Sequence, residues 1–328
     1  MARAAVCPPE LVHRVFRGSE LVAEGLVTTN QLRHRMWSRF GRDVYVLAED
    51  HETAWARREA LRLMTDDSRV ACGLTAAWLH GVWEPRPGLP VPLQISHPST
   101  THGREVVGHG RRRLTWVTAE DSTMGADVEE VDGIAVTSPL RTCFDLMRNR
   151  LLVEAVVVAD AFLYRGVVDP LRLALYCQER VRWPGVRRAR LAVGLASAFA
   201  RSAGESRLRA VLLLAGFEQP LVNVPVMDMS GRHVATPDLQ VHGKRWAWLE
   251  YDGAYHDEAR QHDADVRREN RLAVASGGVP VLRYDARHVG TAAGRAQVVT
   301  DVASATGAPV RTDLRIRDFV RPPGDQAW

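Results

Sequence analysis

The sequence predicts an α/β multidomain chain, and three observations carry that expectation. Its 328 residues exceed what a single compact core usually holds. A composition of 46% hydrophobic and 25% charged residues belongs to a folded globular protein rather than a disordered one. The local pattern also changes twice. Short helices and a strand pair run to about residue 50, mixed helices and strands continue to about 200, and a helix, meander, helix and strand follow.

In the first segment, Pro8-Pro9 opens one helix and Gly18-Ser19 caps a second, Glu20 to Glu24, which Gly25 ends. Thr28 to Gln31 has capping-box spacing: the Thr28 hydroxyl can accept the Gln31 amide while the Gln31 side chain reaches back. A third helix is expected to run to about Ser38, before Val44 to Leu47 forms a strand. Three short helices and a wing describe a winged helix-turn-helix over residues 9–50.

Residues 51–200 form a mixed α/β middle region. Helices are expected at His51 to Met64, Leu74 to His80, and Leu151 to Leu163, with a further helix through Asp145. Short strands are expected at Val91 to Ser96, Leu114 to Val117 and Ile134 to Ser138. Arg141 and Asp145 have the spacing of an i,i+4 pair at a helix start. The arginine-rich stretch Arg180 to Arg190 reads as a solvent-facing connector.

From about 201 to 290 the pattern predicts a compact α/β/α unit, followed by a C-terminal extension at 291–328. The amphipathic helix Glu205 to Ala215 stops at Gly216, and strands are expected at Val222 to Met227, Val234 to Val241 and Arg245 to Asp252. A long helix from about Asp257 to Ser276 and a buried strand, Val279 to Tyr284, complete the unit.

Composition narrows the function classes. The net charge of +4 permits a polyanionic partner without demanding one. Cys7, Cys72, Cys143 and Cys177 are scattered singly, with neither zinc-ligand spacing nor a disulfide framework. Met1 to Glu10 lacks the apolar stretch of a signal peptide, and the longest apolar run, Leu151 to Tyr164, contains Glu154 and Asp160 and is too short to span a bilayer. A cytoplasmic protein with no membrane role is the expectation. Of 43 basic residues only Lys244 is a lysine, so any chemistry that needs one has a single candidate.

Three acids lie on or beside one expected hairpin: Asp238, Glu250 and Asp252. Phosphodiester hydrolysis needs a hard divalent cation, Mg²⁺ or Mn²⁺, to activate water and neutralise charge building on phosphate oxygens. Register decides whether these acids can hold one, because a slip by one residue turns a side chain to the other face. A three-residue loop His242-Gly243-Lys244 would oppose Asp238 to Trp248 and Thr236 to Glu250, and point all three acids one way. A two-residue loop would turn Asp238 away. The longer loop is expected, with Gly243 relieving the turn. The competing account is solvated strand ends paired with Arg267 and Arg268.

Glu205-Ser206-Arg207-Leu208-Arg209, Pro237-Asp238, Glu250 to His256, Asp265 to Arg268, Leu272 and Val281 to Tyr284 together resemble a branch of the PD-(D/E)xK superfamily akin to very-short-patch-repair endonucleases. The resemblance covers about 202–287. It implies a restriction-endonuclease-like fold and a metal seat at Asp238 and Glu250, with Glu205 and His256 lining the same cleft. His256 would handle protons, and Asp265 and Arg268 would brace the hairpin. The lysine expected two residues beyond Glu250 is Asp252, and Lys244 would have to reach around the hairpin to replace it. Asp252 is then a third ligand, or the site is catalytically silent.

Arg33, Arg35, Arg39 and Arg42 lie between Thr29 and Arg42 with no acid among them. In a winged helix, Gln31 and Arg33 would reach base edges, Arg39 and Arg42 would contact phosphates, and Arg35 would add to the basic face. Residues 9–50, with Leu74 to Gly81 and Ser138 to Leu146, are similar to the AbiEi-type antitoxin architecture. That resemblance implies DNA-binding control, with a cognate toxin as partner. Two functions follow: a metal-dependent DNA endonuclease with an attached DNA reader, or a DNA-binding regulator whose nuclease-like domain is silent.

Overall fold

A computed structural model describes residues 7–66, 69–96, 104–107, 110–113, 127–253 and 277–309. The chain divides into two compact units, Met1–Thr142 and Cys143–Trp328.

The first unit begins with a 3-10 turn, Pro9–Leu11, then β1 (Phe16–Arg17) and α1 (Gly18–Ala23). The Thr28 capping box forms: the Gln31 amide donates to Thr28 Oγ1 at 3.2 Å, and Gln31 Oε1 accepts the Thr28 amide at 2.7 Å. Yet the helix it opens is a single 3-10 turn, Gln31–Arg33, and the chain enters β2 (Trp37–Gly41) where a helix was expected. Two interactions account for the difference. His34 Nδ1 accepts the Met36 amide at 3.3 Å, which ends the turn. Trp37 and Phe40 are buried from an extended chain, with Trp37 edge-on to Phe16 at 5.2 Å. Burial of two large aromatic rings outweighs the weak helix preference of a few residues.

β2 forms a hairpin with β3 (Val44–Leu47), and β1 pairs on the far side in the order β1-β3-β2. The wing-like hairpin is therefore present, while the long third helix is not. Phe40, Val44 and Val46 of the hairpin share a core with Ala56, Ala60 and Leu61 of α2 (Ala54–Met64) and with Ile134 and Val136. Those last two belong to a six-stranded sheet built from β4 (Val70–Ala71), β5 (Leu93–Ser96), β6 (Arg104–Val107), β7 (Gly110–Arg113), β8 (Val128–Val131) and β9 (Ile134–Thr137). Its order is β7-β6-β5-β4-β9-β8, with β4 and β9 parallel. α3 (Gly73–Leu79) is the connection from β4 towards β5. The strand expected at Leu114 to Val117 lies outside the described residues.

The division between units falls within α4 (Pro139–Arg148). Arg141 pairs with Asp127 at 3.0 Å, and Asp145 pairs with Arg148 at 2.6 Å. In the second unit, α5 (Leu152–Tyr164), α6 (Pro170–Glu179) and α7 (Val186–Leu195) precede α8 (Ala203–Leu214). The stretch 180–190, expected as a solvated connector, is a tight turn running into α7. Arg190 donates to the carbonyls of Cys177 and Gln178, and the Arg180 guanidinium stacks on Tyr176 at 3.1 Å from the ring centroid.

The rest of the second unit is a four-stranded sheet, β10-β13-β14-β15, from β10 (Leu221–Val222), β13 (Leu239–His242), β14 (Trp246–Asp252) and β15 (Val281–Asp285). β13 and β14 are antiparallel, and β14 and β15 are parallel. A separate small hairpin joins β11 (Val226–Met227) to β12 (His233–Ala235), so two runs expected as single strands are each divided between sheets. Pro237 explains the second break, since it has no N–H to donate to a ladder. Leu239, Val241, Ala247 and Leu249 point into a core filled by Leu208, Val211 and Leu212 of α8 and by Val298 and Val302 of α10 (Ala292–Thr306). The short α9 (Ala286–Gly290) leads into α10.

Gly204, one residue before Glu205, lies directly under Tyr251. A Cβ there would fall 1.8 Å from the Tyr251 ring. Gly204→Ala is therefore expected to destabilise the second unit by about 1–3 kcal/mol through overpacking. Chemical denaturation of the two proteins measures this, and equal midpoints would refute the close approach.

Candidate functional site

Two places gather the side chains that the sequence singled out. The first is the N-terminal hairpin. Arg42 sits at its tip beside Asp43, which adopts a left-handed backbone with φ 67°. Asp43 accepts the Ser19 amide at 2.8 Å and the Ser19 hydroxyl at 2.5 Å, which fastens the tip to the start of α1. Arg39 lies on β2 opposite Tyr45, and a bulge between Arg39 and Gly41 twists the strand. Arg33 ends the 3-10 turn and Arg35 follows it. All four arginines and Gln31 are exposed, and among the described residues none of the four arginines forms an ion pair. Gln31 is partly committed, because its Oε1 also accepts the Thr28 hydroxyl at 2.9 Å. Only its amino group remains to donate.

The second place is the β13–β14 hairpin. Its loop has three residues, as expected, but they are Gly243-Lys244-Arg245, one position later than the sequence reading placed them. His242 pairs with Trp246, Gln240 with Trp248, and Leu239 with Leu249. The ladder ends there, and Asp238, expected opposite Trp248, lies at a bend just before β13. Within the strands Gln240, Trp248, Glu250 and Asp252 share one face. Asp238 Oδ2 accepts the Tyr251 amide at 2.7 Å, which fixes that carboxylate at the end of β14. Glu250 is buried with 6% exposure, and Asp252 is exposed at the strand end.

Neighbours on this face were missed by the sequence reading. Glu250 lies beside Arg283 in the parallel β14–β15 register, and Asp252 lies beside Asp285. Parallel partners point the same way, so a guanidinium-bearing residue stands next to Glu250 on its own face. No sequence rule announces it, because register between strands thirty residues apart is a tertiary property. Asp285 is committed at the N-cap of α9. Hydrogen bonds from Arg287, then from His288, hold its carboxyl well below the usual carboxylate range. Gln240 is buried, and its Nε2 donates to the Val224 carbonyl at 2.6 Å.

Glu205 has a capping task. Its Oε2 accepts the Arg201 amide at 3.0 Å and Asn223 Nδ2 at 2.8 Å, while its own amide donates to Ser202 Oγ at 3.1 Å. Asn223, a left-handed residue with φ 53°, donates its amide to the Asp238 carbonyl at 3.0 Å. Glu205 and Asp238 are thus linked through Asn223. Asn223 is a further residue the sequence reading passed over, and a non-glycine left-handed position is a recognised mark of a constrained site.

Lys244 cannot stand in for the missing lysine. It sits in the loop at the hairpin tip, six residues of extended chain, or about 20 Å, from Glu250. His256, Asp265 and Arg268 lie outside the described residues. Among the described residues no three His, Cys, Asp or Glu side chains gather around a common point suited to a metal. Asp238 and Glu250 are the carboxylates that would have to supply hard oxygen donors for a divalent cation here.

Among the described residues no helix is long and apolar enough to cross a membrane. No curated protein and no solved structure matches the chain. Residues 69–191 match the family described as the AbiEi antitoxin C-terminal domain. This stretch overlaps the similarity noted from Leu74 to Leu146 and extends it through α7. The middle of the chain is thus similar to an AbiEi-type antitoxin domain.

Proposed function

We propose that the protein is a DNA-binding regulator of antitoxin type, acting with a cognate toxin in a toxin–antitoxin or abortive-infection setting. The observation that carries this reading is the match of residues 69–191 to the AbiEi antitoxin C-terminal domain. The N-terminal hairpin supports it. Arg39 and Arg42 project from a hairpin whose tip is fastened by Asp43, and Arg33 and Arg35 extend the basic surface. Such an array neutralises phosphates, and the wing of a winged helix meets DNA in this way. The shortness of the Gln31–Arg33 turn shifts the expected contact from base edges towards the backbone.

Labelled duplex from the region upstream of the protein's own reading frame tests this directly. Binding should be stronger than to a scrambled duplex of equal length, and should weaken steeply as salt rises. A reporter under the same region should be repressed by the intact protein. Absence of any binding at low salt would remove the reading.

A second reading, a metal-dependent DNA endonuclease, draws on one specific observation: the hydrogen bond that holds the Asp238 carboxylate on the backbone of Tyr251, the residue after Glu250. Those two carboxylates would hold Mg²⁺ or Mn²⁺, which supplies an activated water and charge neutralisation at phosphate. His256 would handle protons, and Asp252, Glu205, Asp265 and Arg268 would line or brace the cleft. Plasmid cleavage with and without Mg²⁺ decides it. A cut that needs the metal and falls by about a hundredfold or more in Asp238→Ala would support the nuclease. No cut by the wild type leaves the regulator alone.

A further inference from the structure

A groove of about 510 Å³ opens on the second unit, between the start of α5 and the segment 181–191. Val181, Arg182, Trp183, Arg187, Arg188 and Leu191 line it, and no acidic residue does. Val181 and Leu191 are large apolar side chains left 67% and 59% exposed. Arg182 and Arg187 are exposed, and among the described residues neither has a hydrogen-bond or ion-pair partner.

The wall of this groove is rigid. Trp183 is held from behind by the Arg148 guanidinium, 5.2 Å from its ring centroid, and by the edge of Phe144 at 5.5 Å. Arg148 is itself buried and donates through Nε to Asp145 at 2.6 Å. Its carbonyl accepts a hydrogen bond from Arg188 at 3.3 Å. Gly185 makes the turn possible: its φ is +77°, and a Cβ there would lie 2.2 Å from the Arg148 carbonyl oxygen. A surface fixed in advance loses little conformational entropy when a partner arrives.

We propose that this groove docks an acidic segment of a partner protein that also carries apolar side chains. Three arginines without a lining acid call for a negatively charged occupant, since like charges brought against them would be excluded. The apolar half of the lining separates a protein from a nucleic acid. A phosphate backbone would leave Val181 and Leu191 exposed, whereas leucine or phenylalanine side chains between carboxylates would cover them. Arginine and tryptophan are also the residues that most often anchor protein interfaces. The groove lies within residues 152–191, inside the antitoxin-like region, and its docking role does not depend on DNA binding by the N-terminal hairpin.

The test uses the full-length protein and a fluorescent helical peptide with leucines at three- and four-residue spacing and glutamates elsewhere. A second peptide has glutamine in place of glutamate, and a labelled single-stranded oligonucleotide is the third probe. The glutamate peptide should bind, and the Arg182→Glu, Arg187→Glu double variant should weaken it by about tenfold or more. Leu191→Asp should weaken it comparably, and Arg187→Gln should fall between. Thermal melts of the variants should match the wild type, because Arg182, Arg187 and Leu191 are exposed. Equal binding of the glutamine peptide, unchanged affinity in the double variant, or oligonucleotide binding that alone depends on Arg187 would each overturn the proposal.

Discussion

Asp160→Ala is expected to lower the unfolding midpoint of the second unit by about 10 °C, from a loss of about 3–5 kcal/mol. Asp160 and Arg209 form an ion pair whose side chains are 1% and 0% exposed. Arg209 Nη2 donates to both Asp160 oxygens, at 2.9 and 2.6 Å, and the Ser197 amide donates to Oδ1 at 2.7 Å. Burial pushes the Asp160 carboxyl upward, and the Arg209 charge and its hydrogen bond oppose that shift. Removing the acid leaves a guanidinium with nowhere to be solvated between α5 and α8, which costs far more than the pair itself contributes. Asp160→Leu combined with Arg209→Met should therefore recover much of the loss, because no buried charge remains. Differential scanning calorimetry of the three proteins checks both statements. A single variant that melts with the wild type would mean that the pair is not sealed from water.

Reversing two charges on the N-terminal hairpin should have the larger functional effect. Arg39→Glu with Arg42→Glu is expected to weaken binding to the upstream duplex by about a hundredfold near physiological salt. The slope of log affinity against log salt should shrink by about two, one for each lost phosphate contact. Both side chains are exposed and Asp43 holds the tip through Ser19, so the fold should survive the change. Anisotropy titrations at several salt concentrations measure the affinity and the slope together. An unchanged slope would place the DNA-contacting surface elsewhere on the molecule.

Residue-level signals in the sequence were reliable where one local interaction settles the outcome. The Thr28–Gln31 box forms, Gly25 and Gly216 end their helices in the left-handed conformation, and the β13–β14 loop has three residues. They were less reliable where a distant partner competes. The third helix gave way to β2 because Trp37 finds Phe16 across the sheet. Asp127 beside Arg141 and Arg148 beside Asp145 are partners that the i,i+4 spacing did not announce. The connector at 180–190 became one wall of a groove because Arg148 lies behind Trp183.

By itself the sequence determined that Glu250 and Asp252 alternate onto one face, how long the β13–β14 loop is, and that basic residues cluster near the N-terminus without acids between them. Those properties follow from the period of a strand and the backbone freedom of a few residues, which neighbouring residues dictate. Only the tertiary structure decided that Arg283 stands beside Glu250, that the Tyr251 amide holds Asp238, that Lys244 sits at the hairpin tip, and that Glu205 is committed to capping. Strand register and lateral order depend on which surfaces of α8, α10 and the sheet bury one another, and that choice is made by the whole core at once.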